Sequence, residues 1–368
     1  MKMEWKKLPF LDIISDESGG NVKIPQSGYL PEGKFAIVDQ GKKLISGFTN
    51  EETCLCHAEL PVIVFGDHTC CFKYIDFPFC LGADGVKVLR PKIVADIKYL
   101  YYFLSSLRLT ERGYDRHYKY LNRFDIIMPP LNEQRRIAEI LDKAEALRAK
   151  RRAALAQLDT LTQSIFLEMF GDPVVNQKNW KMQKLTNLGT LDRGVSKHRP
   201  RNAPELLGGL HPLVQTGDIA NCDGYIRSYS NTYSDLGLKQ SKKWPKGTLC
   251  ITIAANIAKT GILTFDACFP DSVVGFRSED PATVEFVRIW LSFLQKNLED
   301  NAPESAQKNI NLAILRNLDV PFPPIELQRE FLNRVAALEE LKNSHRASLA
   351  RLDELFASLQ YRAFRREL

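Results

Sequence analysis

The side chains best equipped for chemistry in this sequence are its thiols and its carboxylate-lysine pairs. Cys54-Leu-Cys56-His57, followed by Cys70-Cys71 and Cys80, could be gathered into a tetrahedral zinc site. The usual zinc spacing is Cys-x2-Cys, whereas one residue separates this pair, which on a strand would put both thiols on one face. Buried thiols are the favoured reading, and no resident metal is expected. Spaced carboxylates ending in Glu/Asp-x-Lys, the pattern of metal-dependent phosphodiester cleavage, occur twice, as Asp16 with Glu32-Gly-Lys34 and as Asp84 with Asp96-Ile-Lys98. Two mutually inconsistent matches point to coincidence. No Gly-x4-Gly-Lys-Ser/Thr phosphate loop is present. The expectation is a chain with no catalytic residues of its own.

The bulk properties fit a folded, mildly basic protein. A chain of 368 residues exceeds what one ordinary core supports, so two domains are the default. Hydrophobic residues make up 44% and charged residues 26%, which excludes a disordered chain. Apolar runs such as Pro61-Val-Ile-Val-Phe65 are far short of the roughly 20 residues that span a bilayer. Eight cysteines without a secretory leader read as reduced thiols, and a cytoplasmic location is expected. The net charge of +6 suits a polyanionic partner without proving one.

What must position any functional group is an internal repeat. Leu121-Asn-Arg-Phe-Asp125-Ile-Ile-Met-Pro129-Pro130-Leu131-Asn-Glu-Gln134 matches Leu315-Arg-Asn-Leu-Asp319-Val-Pro-Phe-Pro323-Pro324-Ile325-Glu-Leu-Gln328. The offset is 194 positions, the separation of Asp125 from Asp319, and it holds without a gap to Leu161 and Leu355. Each copy predicts a strand, a double proline and a long helix that begins just after Pro130 or Pro324. Along the first helix, Ile137, Ile140, Ala144, Leu147, Ala154, Leu158, Leu161 and Ile165 follow 3-4 spacing, broken at Arg151. Phe331, Leu338, Leu341, Leu349, Leu352, Leu355 and Leu359 do so along the second, broken at His345. These are heptad seams on helices of roughly 57 and 60 Å. A break at mid-seam reads first as an opening to water, with partner contact as the alternative.

Phe170-Gly171-Asp172-Pro173 stops the first helix, and Trp180-Lys-Met-Gln-Lys-Leu185 then echoes Trp5-Lys-Lys-Leu8. The segments between differ, with 124 positions from Trp5 to Pro129 and 143 from Trp180 to Pro323. The expected fold is α+β. Two mixed-sheet domains, residues 1–130 and 171–324, alternate with two helices, residues 131–170 and 325–368. The helices should form an antiparallel two-helix coiled coil with an internal pseudo-two-fold repeat. Separated, unlike readers on a two-fold frame are a means of addressing two unlike half-sites on a duplex.

The order of globular segment, Pro-Pro-x-x-x-Gln helix, Phe-Gly-Asp-Pro, Trp-Lys-x-x-x-Leu, second globular segment and second Pro-Pro-x-x-x-Gln helix resembles the specificity subunit of type I restriction-modification systems. The resemblance covers essentially the whole chain. It extends to Gly28-Tyr-Leu-Pro-Glu-Gly33, Ile45-Ser-Gly-Phe48, Val62-Ile-Val-Phe-Gly-Asp-His-Thr69 and Gly82-Ala-Asp-Gly-Val86 in the first domain. In the second it extends to Gln215-Thr-Gly-Asp-Ile219, Gly247-Thr-Leu, Asn256-Ile-Ala-Lys-Thr-Gly261 and Gln307-Lys-Asn309. The one departure is that the first repeat has no Gly-Asp-Pro lead-in before Trp5. The resemblance implies a non-catalytic subunit that binds double-stranded DNA and two modification (methyltransferase) subunits, and it leaves room for ATP-dependent restriction subunits. S-adenosylmethionine, ATP and Mg would then sit on those partners. The double prolines follow Met128 and Phe322, so the chain has no Asn/Asp-Pro-Pro-aromatic motif for adenine methylation. A specificity subunit of another methylation-based defence system, a standalone nuclease and a protein-only coiled-coil adaptor are the competing readings.

Candidate DNA contacts are loops rich in basic, amide and aromatic groups, since phosphates need cations and base edges need forked or amide side chains. In the first domain they are Lys34, Asp67, His68, Thr69, Arg112, Tyr114, Arg116, His117 and Lys119. In the second they are Lys197, Arg199, Arg201, Gln215, Thr216, Asp218, Asn256, Lys259, Gln307, Lys308 and Asn309. Plain turns and solvated loops explain the same residues. Gln134, Arg148, Arg151, Arg152, Gln328 and His345 are the candidates for contact with partner subunits.

Overall fold

A computed structural model describes residues 5–83, 85–109, 115–254, 258–300 and 311–368. The chain divides into two compact units, residues 1–153 with 346–368, and residues 154–345. Each therefore holds one globular domain, the start of the helix that leaves it, and the end of the helix that arrives from the other.

In the first unit β1 (Lys6–Pro9) pairs antiparallel with β9 (Asp125–Met128), Leu8 facing Ile126 across the ladder. The main sheet runs β2 (Ile14–Asp16), β8 (Val86–Pro91), β5 (Val62–Gly66), β6 (Phe72–Ile75). Every residue of β5 is buried, as the unbroken apolar run Val62-Ile-Val-Phe65 requires of a central strand. A smaller sheet orders β4 (Gly47–Thr49), β3 (Phe35–Val38) and β7 (Phe79–Leu81), with β3 and β7 parallel. Helix α1 (Ile97–Ser106) starts at Asp96, whose carboxylate accepts the Tyr99 amide at 2.8 Å, and it buries Tyr99, Leu100, Phe103 and Leu104.

The second unit repeats the frame. β10 (Met182–Lys184) pairs with β20 (Asp319–Pro321), and the amide of Leu185 donates to Leu318 O at 3.0 Å, as Phe10 donates to Phe124 O at 3.1 Å. Its larger sheet orders β11 (Thr190–Arg193), β19 (Val273–Arg277), β16 (Leu249–Thr252), β17 (Thr260–Leu263) and β13 (Tyr225–Ile226). The second sheet orders β14 (Asn231–Tyr233), β12 (Leu207–Leu213), β18 (Ala267–Cys268) and β15 (Lys243–Trp244). Helix α3 (Pro281–Asp300) covers the larger sheet with Phe286, Val287, Trp290 and Leu291.

The long helices are α2 (Leu131–Phe170) and α4 (Ile325–Ala363), beginning at the residue after each double proline. Within each unit they run antiparallel. In the first, Ile137, Ala138 and Leu141 of α2 share a core with Ala363 and Phe364 at the end of α4. In the second, Phe166 and Phe170 pack on Phe331, with ring centroids 5.6 and 5.3 Å apart. Phe170 and Phe364 are repeat mates, and both plug the core of the domain at which their helix ends. That removes the apparent gap before Trp5: Arg366, just past α4, donates to Trp5 O at 3.0 Å and lies over its ring.

The seam differs from the simple heptad expectation. Leu147, Leu161, Leu341 and Leu355 are exposed, while Leu141, Phe166 and Val335 face inward. The apolar stripe on each helix is wider than a two-helix contact can cover, so its outer edge is left in solvent. Among the described residues no helix is long and apolar enough to cross a membrane.

Candidate nucleic-acid interface and scaffold

The helix roots show how sequence fixes the frame on which the loops are mounted. Gln134 is buried, its amide donating to Pro129 O at 2.8 Å and its carbonyl accepting the Asp96 amide at 2.8 Å. Gln328 repeats the clamp by donating to Pro323 O at 2.8 Å and accepting from Thr283 Oγ1 at 3.0 Å. Each glutamine thus ties the double proline to the start of α1 or α3. Both are inaccessible to another subunit, so their assignment as partner contacts is corrected to an internal clamp.

A second repeated device joins the two helices. Arg148 bonds Asp353 at 2.6 Å and also Glu145, while Arg152 reaches Glu145 at 2.9 Å. The repeat mates of Glu145, Arg148 and Asp353 are Glu339, Lys342 and Asp159, and they meet in the same way. Lys342 lies 2.8 Å from Asp159 and 3.2 Å from Glu339, with Arg227 taking a further place on Glu339 at 2.7 Å. Arg148 and Arg152 therefore bind within their own helix pair. Arg151 and His345 are half-buried at the interrupted seam positions.

In the first domain the Asp67-His-Thr69 tip follows β5. A side chain at Gly66 would strike Thr69 Oγ1 and Gln40 O, so only glycine permits the tight reversal. Thr69 Oγ1 donates to Gln40 O, and the His68 amide donates to Gln40 Oε1 at 3.3 Å. Asp67 is buried: its carboxylate accepts the Tyr118 amide at 2.7 Å, and its carbonyl accepts the His117 amide at 2.9 Å. His117 is also fully buried. The placement of these two as direct DNA contacts is corrected: they staple the tip to the segment after residue 115. What that staple presents is a basic, aromatic surface. Tyr120, Lys119 and the Arg116 amide all donate to Asp115, holding its carboxyl well below the usual carboxylate range. Lys119 and Arg123 lie over the Tyr120 ring, and Arg116 is exposed. Lys34 is exposed near Glu52, at 3.8 Å. Arg112 and Tyr114 lie outside the described residues.

In the second domain Asp271, just before β19, gathers arginines. Arg201 lies 2.5 Å and Arg199 3.4 Å from its carboxylate, and Arg193 donates to its carbonyl at 3.0 Å. Lys197 is exposed in the same segment. Gln215 is exposed and Thr216 half-exposed, whereas both oxygens of Asp218 are engaged, one by the Gln215 amide and one by Ser230. Lys259 reaches Gln295 at 3.3 Å. Asn256, Gln307, Lys308 and Asn309 lie outside the described residues.

The candidate chemistry of the opening motifs resolves into structure. Asp16 pairs with Lys87 at 2.6 Å, Asp96 caps α1, Lys98 bonds Asp142 at 2.6 Å, and Asp84 is outside the described residues. Cys54 ends a short turn, Glu52–Cys54, and not a strand. It packs with Cys80, while Cys56 packs on the adjoining Val62 cluster. Burial pushes the Cys80 thiol up to about 11 and raises Cys54 and Cys56 as well. Among the described residues no group of three or more His, Cys, Asp or Glu could hold a metal ion.

A family model for the type I restriction modification DNA specificity domain matches residues 16–157 and again residues 177–352. The chain belongs to that family. Its two matched stretches correspond to the two copies of the frame. The EcoBI type I restriction enzyme specificity subunit of Escherichia coli is 28% identical over an alignment of 278 residues that covers 66% of this chain and 58% of that protein. The EcoR124I/EcoR124II specificity subunit of the same organism is 28% identical over 170 residues, 42% of this chain and 41% of that one. The chain thus aligns with about half the length of these specificity subunits. Among solved structures, the type I restriction-modification S subunit from M. genitalium matches with a TM-score of 0.57 at 16% identity, covering 99% of this chain and 96% of that one. A chain from a type I restriction-modification assembly matches with a TM-score of 0.53 at 17% identity, covering 99% and 98%. At such identities the likeness is one of specificity-subunit fold.

Proposed function

We propose that this chain is the DNA sequence-specificity subunit of a type I restriction-modification complex, reading an asymmetric bipartite site. The observation that carries the proposal is that the frame repeats down to single hydrogen bonds, while the surfaces mounted on it do not. The first domain offers Arg116, Lys119 and Arg123 around Tyr120; the second offers Arg193, Arg199 and Arg201 around Asp271. Unlike readers on like mounts imply unlike half-sites on one duplex. The chain itself makes and breaks no bond in this reading. S-adenosylmethionine, ATP and Mg belong to the partner subunits.

The helices support a partner in two copies. Six large apolar side chains on them are exposed, between 41% and 54%: Leu147, Leu161, Leu167, Leu341, Leu355 and Tyr361. They form three repeat-related pairs, 147 with 341, 161 with 355 and 167 with 361. Each unit therefore presents an equivalent set of exposed apolar side chains on its helix pair, suited to contact with one copy each of a modification subunit. ATP-dependent restriction subunits join the same assembly in this proposal.

The test is to purify the chain with its co-expressed methylating partner and measure both mass and DNA affinity across salt concentrations. Two partners per chain and steeply salt-sensitive duplex binding are expected. Metal-dependent cleavage by the isolated chain would favour a nuclease, and absence of duplex affinity a protein-only adaptor.

A further inference from the structure

We infer that Leu210 is a wedge that enters a base step of the half-site read by the second domain. This rests on the DNA-reading function proposed above and adds how one residue acts there.

Among the described residues Leu210 is the most exposed large apolar side chain, at 92%. Local sequence builds that exposure. In the ladder between β12 and β14, both Leu207 and His211 face Tyr233, so the three residues Gly208, Gly209 and Leu210 are looped out of the pairing. Bulges of this kind re-aim side chains. Gly208 has φ of +80°, a left-handed conformation in open space. Gly209 passes so close to the partner strand that an added Cβ would fall 2.5 Å from Tyr233 O and 2.4 Å from Ser234 Cα. Two glycines with different backbone demands therefore place one leucine at the tip. Its base is fixed: His211 Nε2 lies 2.9 Å from Asp235, and Ser234 N donates to Leu206 O at 2.8 Å.

The finger stands on the lobe that also carries the arginine cluster. Residues 197–201 lead into the turn Pro204–Leu206, which packs on the helix Asp235–Lys239 beside the finger. Arg199 and Arg201 are exposed there, as are Lys197, Lys239 and Lys242. Asp271 sits between Arg199 and Arg201, Asp192 lies 3.7 Å from Lys242, Glu205 and Asp235 are further acidic neighbours, and Asp235 faces His211; the cations still outnumber the carboxylates. A cationic lobe whose most projecting apolar side chain is Leu210, with Leu236 exposed at its foot, matches the construction of proteins that hold phosphates and slide an aliphatic side chain between base pairs.

The experiment uses the full complex of chain and methylating partner on duplexes carrying its methylated site, with 2-aminopurine placed at each position in turn. Apart from the bases extruded for methylation, wild type should raise fluorescence at one further step, in the half-site read by the second domain. Leu210→Ala should abolish that rise and weaken binding by about tenfold, because the contacts that the opened step permits, which outweigh the cost of unstacking, are lost. It should leave the salt slope unchanged, because no phosphate contact is lost. Leu210→Met should retain the signal. Unchanged fluorescence in Leu210→Ala, or no further bright step with wild type, overturns the wedge while the DNA-reading function stands. Loss of partner assembly in Leu210→Ala overturns it in favour of a protein contact. Wild-type complex without salt-sensitive affinity for the duplex sinks the underlying DNA-reading function, and the wedge with it.

Discussion

Replacing Gln328 by methionine isolates the clamp that roots α4 in the second domain. Methionine keeps the length and removes both polar ends. The fully buried amide donates to Pro323 O at 2.8 Å and accepts from Thr283 Oγ1 at 3.0 Å, so the substitution leaves a carbonyl and a hydroxyl without these partners. A buried polar group left unsatisfied costs about 1–3 kcal/mol, which gives about 2–6 kcal/mol for the pair. Thr283→Val in the same chain removes the orphaned hydroxyl, so the double variant should be more stable than additivity predicts by about 1–2 kcal/mol. Urea unfolding followed by tryptophan emission suits the test. Trp180, Trp244 and Trp290 lie in the second unit and only Trp5 in the first, so the signal reports chiefly the affected unit. A Gln328→Met loss below about 0.5 kcal/mol, or strict additivity with Thr283→Val, would refute the clamp; that loss is no larger than an ordinary surface substitution gives.

Three further outcomes follow from the same geometry. Lys342→Met should destabilise the second unit by about 2 kcal/mol, because it removes a buried ammonium's bonds to Asp159 and Glu339 while Arg227 still holds Glu339; Arg148→Met, at a more solvated place, should cost about 1 kcal/mol in the first, and hydrogen exchange of each helix would measure the contrast. Arg199→Ala and Arg201→Ala should each weaken binding to all sequences alike and lower the salt slope by about 1, as measured by titration at several salt concentrations. Leu161→Glu with Leu341→Glu should remove one of the two proposed partner subunits and leave the other, a change visible by native mass spectrometry.

Much of the frame was legible because it is periodic. The 194-residue offset correctly paired Asp125 with Asp319 and Pro130 with Pro324, and the helices start where proline geometry requires. The same offset carried information that periodicity alone did not use: Glu145, Arg148 and Asp353 mirror Glu339, Lys342 and Asp159, yet only an antiparallel pairing brings the three together. Gln134 and Gln328 looked like surface motif residues, because a glutamine four places into a helix gives no sign of which way it faces. Asp67 and His117 were misplaced for the opposite reason. Polar residues beside a glycine read as a loop tip, but burial turns them into staples. The Leu210 finger was hidden by its own composition, since Gly-Gly-Leu within a strand shows neither the loss of ladder pairing nor the exposed tip that follows from it.

Single-molecule sequencing of DNA from cells co-expressing this chain with the methylating partner proposed above tests the central claim most directly. Two unlike readers on one repeated frame predict methylation at a bipartite site, with two different half-sites separated by a fixed unspecified spacer. Exchanging residues 171–324 for the matching segment of a relative should change one half and leave the other. A single continuous motif, a palindromic one, or a domain exchange that altered both halves together would contradict the account.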